Sequence, residues 1–428
     1  MRYPKRLSSE CGVYSMNLDN ADSRFEDMFY SAVMLNTEVT YKTLCDLKDN
    51  YAIRDYRDLH DKEILREVAK GEFKLRPDTV LRIKKLLGSF GDLEKIVDKY
   101  NKIALADNIG VVSVLDKFYP YNWRALSGMP QVFYCRGNYA LIDSMTLKGS
   151  VAVVGSRSPS KYAQYATDQI CKELGEKGVT IVSGMAYGID RQAHLSSVNT
   201  KGGTIAILAG GVDNIYPPKN KDIYDLISRN GLIISEMPPG QQPLRQYFPS
   251  RNRLIAGLTD CTLVMEAGTV SGTLHTASFA ANQGKEVFVL PNNIYYENAK
   301  GGLKLLEDGG NVLLGAENVI DCVARSVMYK RLALGCSGEV YFQDEKEGFG
   351  EQTDIDVIRE LAKVKPEAIN DEQWKLLIRD ALSLKPLCAD ELCVITMQPF
   401  YKVSKLLTEL ELNGTVCQEK GKYSLTFV

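Results

Sequence analysis

The segment from Lys148 to about Val323 constrains the fold most, because short apolar runs alternate there with helical stretches. The apolar runs are "VAVVG", "VTIVSG", "TIAILAGG", "LIISEMP", "CTLVMEAG", "EVFVLP" and "NVLLG", separated by sequences such as "YAQYATDQICKELGEKG" and "SGTLHTASFAANQGK". Continuously apolar runs are typical of strands whose two faces are both covered. The repetition therefore predicts an α/β fold with a Rossmann-like, doubly wound, mainly parallel sheet.

The chain on either side of this segment has a different pattern. From about Ser23 to Tyr100, apolar residues recur at three- and four-residue spacing among many charges, which predicts helices that bind DNA, bind protein or pack on their neighbour. Residues 326–352 are polar and glycine-punctuated and are predicted to be a linker. Residues 353–428 predict three helices followed by the short strands "GTVCQE" and "YSLTFV", which is a winged-helix order.

Composition limits the kinds of partner and cofactor. The 428 residues carry 54 acids and 52 bases, a net charge of −2, so any polyanion site must be a local patch. The 10 cysteines form no CxxC pair and there are 3 histidines, so we predict no metal, no other cofactor, and free thiols, with Cys171, Cys261 and Cys322 buried. With neither a signal-peptide pattern nor a long apolar run, the protein is predicted to be cytoplasmic and not to contact membranes.

Small and polar residues follow the predicted strands. Ligands of doubly wound sheets bind beyond the carboxyl ends of the strands, where open N–H groups at a helix start suit a phosphate. A guanidinium adds a bidentate partner, although a tight turn would require glycine in any case. The candidate residues after the first three strands are Gly155, Ser156, Arg157, Gly184, Gly188, Gly210, Gly211 and, beyond them, Lys219. Asp190 is predicted to cap a helix and His194 to be a hydrogen-bonded structural residue.

The stretch "PLRQYFPSRNRLIAG", residues 243–257, holds three arginines and two aromatic rings without an acid. Together with the glycine-rich turns, this stretch would line a groove with N–H dipoles, guanidinium groups and rings, which suits an anion. We therefore predict a basic-aromatic loop at this edge of the sheet. Phe248 and Tyr247 could instead belong to the core, and Arg251 and Arg253 could brace the loop.

Several motifs occur in an order that resembles one known family. "VAVVGSR", "VSGMAYGID", "GGVDNIYPPKN", "SEMPPGQQPLRQYFPSRNRLIAGL" and "SGTLHTASFAANQGKEVFVLP" are similar to motifs of the DNA-processing protein A (DprA/Smf) family. The resemblance spans roughly residues 108–323, and "LPNNIYYENAKGGLKLL" departs from the family's usual turn and helix there. It implies residues 1–105 as a helical accessory domain (SAM-like or helix-hairpin-helix-like), 106–325 as the Rossmann-like domain and 353–428 as the winged helix.

The resemblance also implies a function. Members of this family bind single-stranded DNA, protect it during natural transformation and load the RecA recombinase on it. They dimerise through the Rossmann-like domain and have no established catalysis. The family's binding residues fall on Arg157, Arg245 and Phe248, and its phosphate-receiving turn on Gly155 and Ser156. Lys219, Arg251 and Arg253 are added on chemical grounds.

Two alternatives remain open at this point. Related Rossmann-like folds include nucleotide or nucleoside-phosphate hydrolases with a "PGGxGTxxE" glutamate, whereas this chain reads "EAGTVSGTLHTA" with Glu266 before the loop. The winged helix could also read duplex DNA, but "PFYKVSKLLTELELNG" mixes Lys402 and Lys405 with Glu409 and Glu411. Such a mixed face favours packing or protein contact.

Overall fold

The computed structural model describes residues 21–71, 73–116, 119–126 and 128–333. In the C-terminal part it describes residues 400–419 and 422–426 and isolated positions between 375 and 392. The chain forms two compact units, Met1–Ala324 and Arg325–Val428. Within the described residues, no helix combines the length and the apolar character needed to cross a bilayer.

The first unit begins with five α-helices: α1 (Ala21–Asn36), α2 (Tyr41–Asp49), α3 (Lys62–Lys70), α4 (Pro77–Gly88) and α5 (Phe90–Ala106). Pro77 occupies the first position of α4, where its missing N–H costs nothing. The Asp61 carboxylate begins α3 by accepting the Glu63 and Ile64 N–H groups at 2.8 and 3.2 Å. Phe29, Leu47 and Leu65 are among the side chains that these helices bury.

A nine-stranded sheet forms the centre of this unit, in the order β1-β2-β6-β5-β4-β3-β7-β8-β9. The strands from β6 to β9 in that order are parallel, and β1 and β2 join them antiparallel at one edge. Strand order reverses between β3 and β7, so the predicted doubly wound, mainly parallel sheet is confirmed. The strands are β1 (Gly110–Ser113), β2 (Val132–Gly137), β3 (Ser150–Gly155), β4 (Thr180–Ser183), β5 (Thr204–Ile207), β6 (Leu232–Ser235), β7 (Cys261–Glu266), β8 (Val287–Val289) and β9 (Asn311–Val312).

Eight helices connect or follow these strands: α6 (Ala140–Lys148), α7 (Lys161–Glu176), α8 (Ile189–Ser197), α9 (Lys221–Asn230), α10 (Tyr247–Leu258), α11 (Gly272–Asn282), α12 (Lys300–Glu307) and α13 (Ala316–Ala333). Helix α10 corrects the predicted basic-aromatic loop, because only residues before Tyr247 are irregular. Pro249 is tolerated there since it lies in the first turn, where N–H groups have no partner within the helix. The cysteines predicted to be buried, Cys171, Cys261 and Cys322, are buried and free.

The second unit is described in part. Helix α14 (Phe400–Leu412) is followed by the antiparallel hairpin of β10 (Val416–Glu419) and β11 (Lys422–Leu425). Gly414, at φ +68°, provides the left-handed turn between helix and hairpin. Residues 326–333, predicted as linker, continue helix α13 instead. Residues 334–352 and most of the residues predicted as helices before α14 lie outside the described residues.

Candidate nucleic-acid interface

A small pocket of about 30 Å³ lies where the loops after β3, β4 and β5 meet the start of α10. In a parallel sheet the carboxyl ends of the strands share one edge, which is why segments distant in sequence converge there. Eight residues line it: Arg157, Gly184, Met185, Ala186, Tyr187, Tyr216, Pro217 and Phe248. Of the predicted site residues, Arg157, Gly184 and Phe248 therefore lie together.

Three aromatic rings surround this pocket. The Tyr216 and Phe248 rings meet edge to face, with centroids 5.7 Å apart and an interplanar angle of 65°. Tyr216 is 45% and Tyr187 37% exposed, while Phe248 is half-buried. Sequence analysis assigned neither tyrosine to the site, although both follow strand ends within the motifs "GMAYGID" and "DNIYPPKN".

Three predicted cations, Arg157, Lys219 and Arg245, are exposed at this edge of the sheet. Within the described chain their side chains make no hydrogen bond or ion pair. Arg157 lines the pocket, whereas Lys219 lies in the short 3-10 turn Pro218–Asn220 and Arg245 precedes α10. Unpaired guanidinium and ammonium groups can bind phosphate without first breaking a salt bridge.

Arg251 has a different environment from the one expected of a DNA contact. It is 7% exposed, and its Nη1 donates to the carbonyl oxygens of Gly184, at 2.6 Å, and Ile207. Burial lowers the pKa of its guanidinium to about 10, against the opposing effect of Asp190. Of the two roles left open for Arg251, the structure shows the bracing one, because the side chain joins the loop after β4 to the end of β5.

Arg253 is also engaged inside the protein. Its Nη2 donates to both carboxylate oxygens of Glu236, at 2.7 and 2.8 Å, and the two side chains are 19% and 25% exposed. Glu236 directly follows β6, so this ion pair ties helix α10 to the end of that strand. Of the two roles left open for Arg253, the structure shows the bracing one.

The turn after β3 packs closely against the start of α8. A Cβ at Gly188, whose φ is +75°, would lie 2.3 Å from the Ser156 carbonyl oxygen. That oxygen accepts the Ile189 N–H at 3.1 Å, and a Cβ at Gly155 would lie 2.6 Å from the Ile189 side chain. Only glycine fits either position, so these residues hold the turn that carries Arg157.

The other predicted glycines support a neighbouring loop. Gly211 N–H donates to the Gln241 carbonyl oxygen at 2.8 Å, and a Cβ at Gly210 would lie 3.0 Å from that same oxygen. Both residues therefore pack against the segment after β6, and neither lines the pocket.

Two polar side chains of α8 are buried beneath the site. Asp190 does not cap the helix as predicted, because Gly188 occupies that position and Asp190 Oδ2 accepts the Ala186 N–H at 3.2 Å. Burial raises the pKa of Asp190. His194 is hydrogen-bonded through Nδ1 to Thr204 Oγ1 at 2.7 Å, as predicted for a structural histidine.

Glu266 is the carboxylate nearest to the place of the glutamate in the hydrolases' "PGGxGTxxE" stretch. Its oxygens already accept hydrogen bonds within the protein. It is 3% exposed, and its Oε2 accepts the Ser160 hydroxyl at 2.6 Å and the Ser160 N–H at 3.1 Å. Ser160 in turn caps α7 by accepting the Ala163 N–H at 3.1 Å. This carboxylate therefore joins β7 to the turn before α7 and is not free to activate water.

Comparison with known proteins places the chain in a family. Residues 110–324 match the model of the family described as DNA recombination-mediator protein A, and residues 363–422 match the DprA winged helix domain. The protein Smf of Synechocystis is 35% identical over 312 residues, which are 72% of this chain and 77% of that protein. The chain belongs to the DprA/Smf family. Another DprA/Smf relative, the DNA processing protein DprA of Bacillus subtilis, is 33% identical over 243 residues, 56% of this chain and 80% of that protein.

A solved structure agrees with this DprA/Smf assignment. The X-ray structure of DNA processing protein A from Streptococcus pneumoniae superposes with a TM-score of 0.57 at 29% identity. It covers 69% of this chain and 97% of that chain. The winged-helix prediction for the C-terminal part is confirmed by the family match there.

Proposed function

We propose that this DprA/Smf protein binds single-stranded DNA at the pocket edge and acts on it as a DNA-processing recombination mediator in the cytoplasm. The observation that carries the proposal is that exposed Arg157, unpaired among the described residues, meets the rings of Tyr187, Tyr216 and Phe248 in one shallow pocket. The cation suits a phosphate, and the rings provide faces and edges for bases of any sequence. Lys219 and Arg245 extend the positive surface beyond the pocket.

The size of the pocket favours stacking at its rim over enclosure of a base. A volume of about 30 Å³ is far below the roughly 300–1,000 Å³ of pockets that enclose small-molecule ligands. A nucleobase is larger, so it would lie across the exposed rings while a neighbouring phosphate meets Arg157. Recognition of this kind depends little on sequence, because every base has a π-face.

The test is a fluorescence anisotropy titration of labelled poly-dT and of a matching duplex at two salt concentrations. We expect the single strand to bind more tightly than the duplex, and added salt to weaken its binding. Arg157→Glu/Arg245→Glu should abolish that binding, and Phe248→Ala should weaken it by about 1–3 kcal/mol, the usual contribution of one stacked base.

The control is Arg229→Glu, which reverses an exposed charge near the C-terminal end of α9, away from the carboxyl edge of the sheet. It should bind as the wild type does. Wild-type affinity in the Arg157→Glu/Arg245→Glu variant would refute the assignment of this site and turn attention to the helices of either end.

We also propose that the protein loads the RecA recombinase and works as a homodimer through its Rossmann-like domain. Family membership supports both points, and two sites on one strand would raise the apparent affinity through effective concentration. RecA's ATP hydrolysis on a single strand, followed with and without this protein, tests loading. Sedimentation equilibrium tests the dimer, which a purely monomeric profile would exclude.

A further inference from the structure

Arg251 lies beneath the pocket and contacts three of its parts. Its Nη1 joins the Gly184 carbonyl after β4 to the Ile207 carbonyl at the end of β5. Its guanidinium carbon lies 5.9 Å from the centroid of the Phe248 ring, one turn earlier on the same helix. Gly184 and Phe248 both line the pocket. One side chain therefore connects the loop after β4, the end of β5 and the Phe248 ring.

Gly184 leaves room for this arrangement. A Cβ built there would lie 2.5 Å from Arg251 Nη1 and 2.6 Å from its Cζ, so the guanidinium packs directly on the glycine backbone. Gly184 has no positive φ, and its backbone would accept alanine. Alanine would instead displace the guanidinium and break its two carbonyl hydrogen bonds.

We propose that Arg251 is a positioning residue of the single-stranded DNA site, which fixes the loops after β4 and β5 and the Phe248 ring without touching DNA. The inference rests on the function proposed above. Because the hydrogen bonds hold backbone carbonyls, the pocket is ordered before DNA arrives. Preorganised groups lose less conformational entropy on binding. Asp190, also buried, offsets the charge, since its carboxylate raises the pKa of Arg251 against the effect of burial.

The salt dependence of binding separates positioning from direct contact. On single strands, each phosphate contact contributes about 0.7 to the slope of log affinity against log salt concentration. Substitution of a positioning residue should lower the affinity without changing this slope. Loss of a phosphate contact should lower both the affinity and the slope. Arg157→Gln, which removes the proposed phosphate contact, provides the reference for a changed slope.

The experiment measures poly-dT affinity at several salt concentrations for full-length Arg251→Lys, Gly184→Ala and Arg251→Gln, which removes the charge as Arg157→Gln does. Lysine keeps the charge but lacks the planar guanidinium that packs on the Gly184 backbone and lies near the Phe248 ring, and Gly184→Ala displaces Arg251 without altering its side chain. We expect each variant to bind roughly tenfold more weakly, the factor that corresponds to losing one hydrogen bond to a charged group. The salt slope should stay at the wild-type value.

Two matched controls accompany these variants. Arg229→Lys makes the same exchange at an exposed arginine near the C-terminal end of α9, and Gly272→Ala adds a methyl group where no atom of the described residues lies within 4 Å. Both should bind as the wild type does. Circular dichroism melting identifies variants that remain folded at the titration temperature. If Arg251→Lys does not fold, the poly-dT affinity and salt slope of Gly184→Ala test the proposal.

The outcomes are distinct. A slope reduced in Arg251→Gln to the value of Arg157→Gln would overturn the inference, because Arg251 would then contact phosphate itself. Wild-type affinity in folded Arg251→Lys and Gly184→Ala would overturn it as well, while leaving the proposed function intact. Absence of poly-dT binding by the wild-type protein would overturn the proposed function and this inference together.

Discussion

Three arginines of this chain show how tertiary environment separates residues of the same type. Arg157 is exposed at a turn, Arg253 pairs with Glu236, and Arg251 is buried against backbone carbonyls. The helical position of Arg251 explains its burial, because Leu254, Ile255 and Leu258 follow it at spacings of three, four and seven residues on one face. That spacing is present in the sequence and indicates a helix, but the two prolines of the segment favoured the prediction of a loop.

His194 is a second residue whose chemistry depends on burial. Thr204 donates its hydroxyl proton to the Ile181 carbonyl at 2.9 Å, so its oxygen accepts from His194 Nδ1–H. Nε2 is buried without a hydrogen-bond partner among the described residues, so the imidazole is neutral with its proton on Nδ1. Burial, followed by the charge of Arg251, lowers the pKa of His194 to about 3.

We predict a pH-dependent contribution of His194 to stability. Its folded pKa lies below the unfolded value, so the contribution is complete above about pH 6.5 and declines as the pH falls toward 3, when only the unfolded state takes up the proton. Between about pH 7.5 and 5.5 the wild type should lose about 1.4 kcal/mol more unfolding free energy than His194→Asn, as measured by urea denaturation. Asparagine keeps a donor toward Thr204 but does not titrate. Equal losses in both proteins would contradict the prediction.

At the scale of elements, the start of α7 positions the turn that carries Arg157. Ser160 connects the turn after β3 with α7 and β7. It directly follows the turn, caps α7 and donates its hydroxyl to buried Glu266 at the end of β7. Glu266 ends β7, which pairs with β3 on the other side of the turn. The turn is therefore anchored to both strands at the point where the strand order reverses.

We predict that Ser160→Ala lowers the free energy of unfolding by about 1–3 kcal/mol, because it removes a helix cap and one partner of a buried carboxylate. Urea denaturation followed by circular dichroism measures the change. The matched control is Ser158→Ala, whose side chain is exposed two residues earlier in the same turn. A loss no larger than that of Ser158→Ala would show that Glu266 finds its partners elsewhere.

At the scale of the whole molecule, a chain of net charge −2 has three cations at one edge of its sheet that are unpaired among the described residues. Every residue that lines the pocket belongs to the first compact unit. The limits of the predicted domains stay a prediction. Helix α13 continues to Ala333, beyond the boundary between the units, so a shortened chain should end after that helix.

We predict that residues 1–333 fold without the remainder and bind poly-dT within a factor of about three of the full chain, because the first unit has its own core and contains the whole pocket. Anisotropy titrations of the two proteins under identical conditions test this. Carrying Arg157→Glu/Arg245→Glu into the shortened chain provides the control, and it should abolish binding there too. A folded fragment without affinity would mean that the C-terminal unit contributes essential contacts.

The sequence by itself determined the class of fold, the edge of the sheet at which a ligand would bind and the family. Strand period, continuous apolar runs and glycines at strand ends are local signals, and right-handed crossovers leave few topologies open. Only the tertiary structure decided which charged and aromatic side chains share the pocket. Arg251 bonds to carbonyls 67 and 44 residues away, and Phe248 meets a ring from the loop after β5. Such contacts depend on how elements that are distant in sequence pack together. The spacing of apolar residues within one element does not predict that packing.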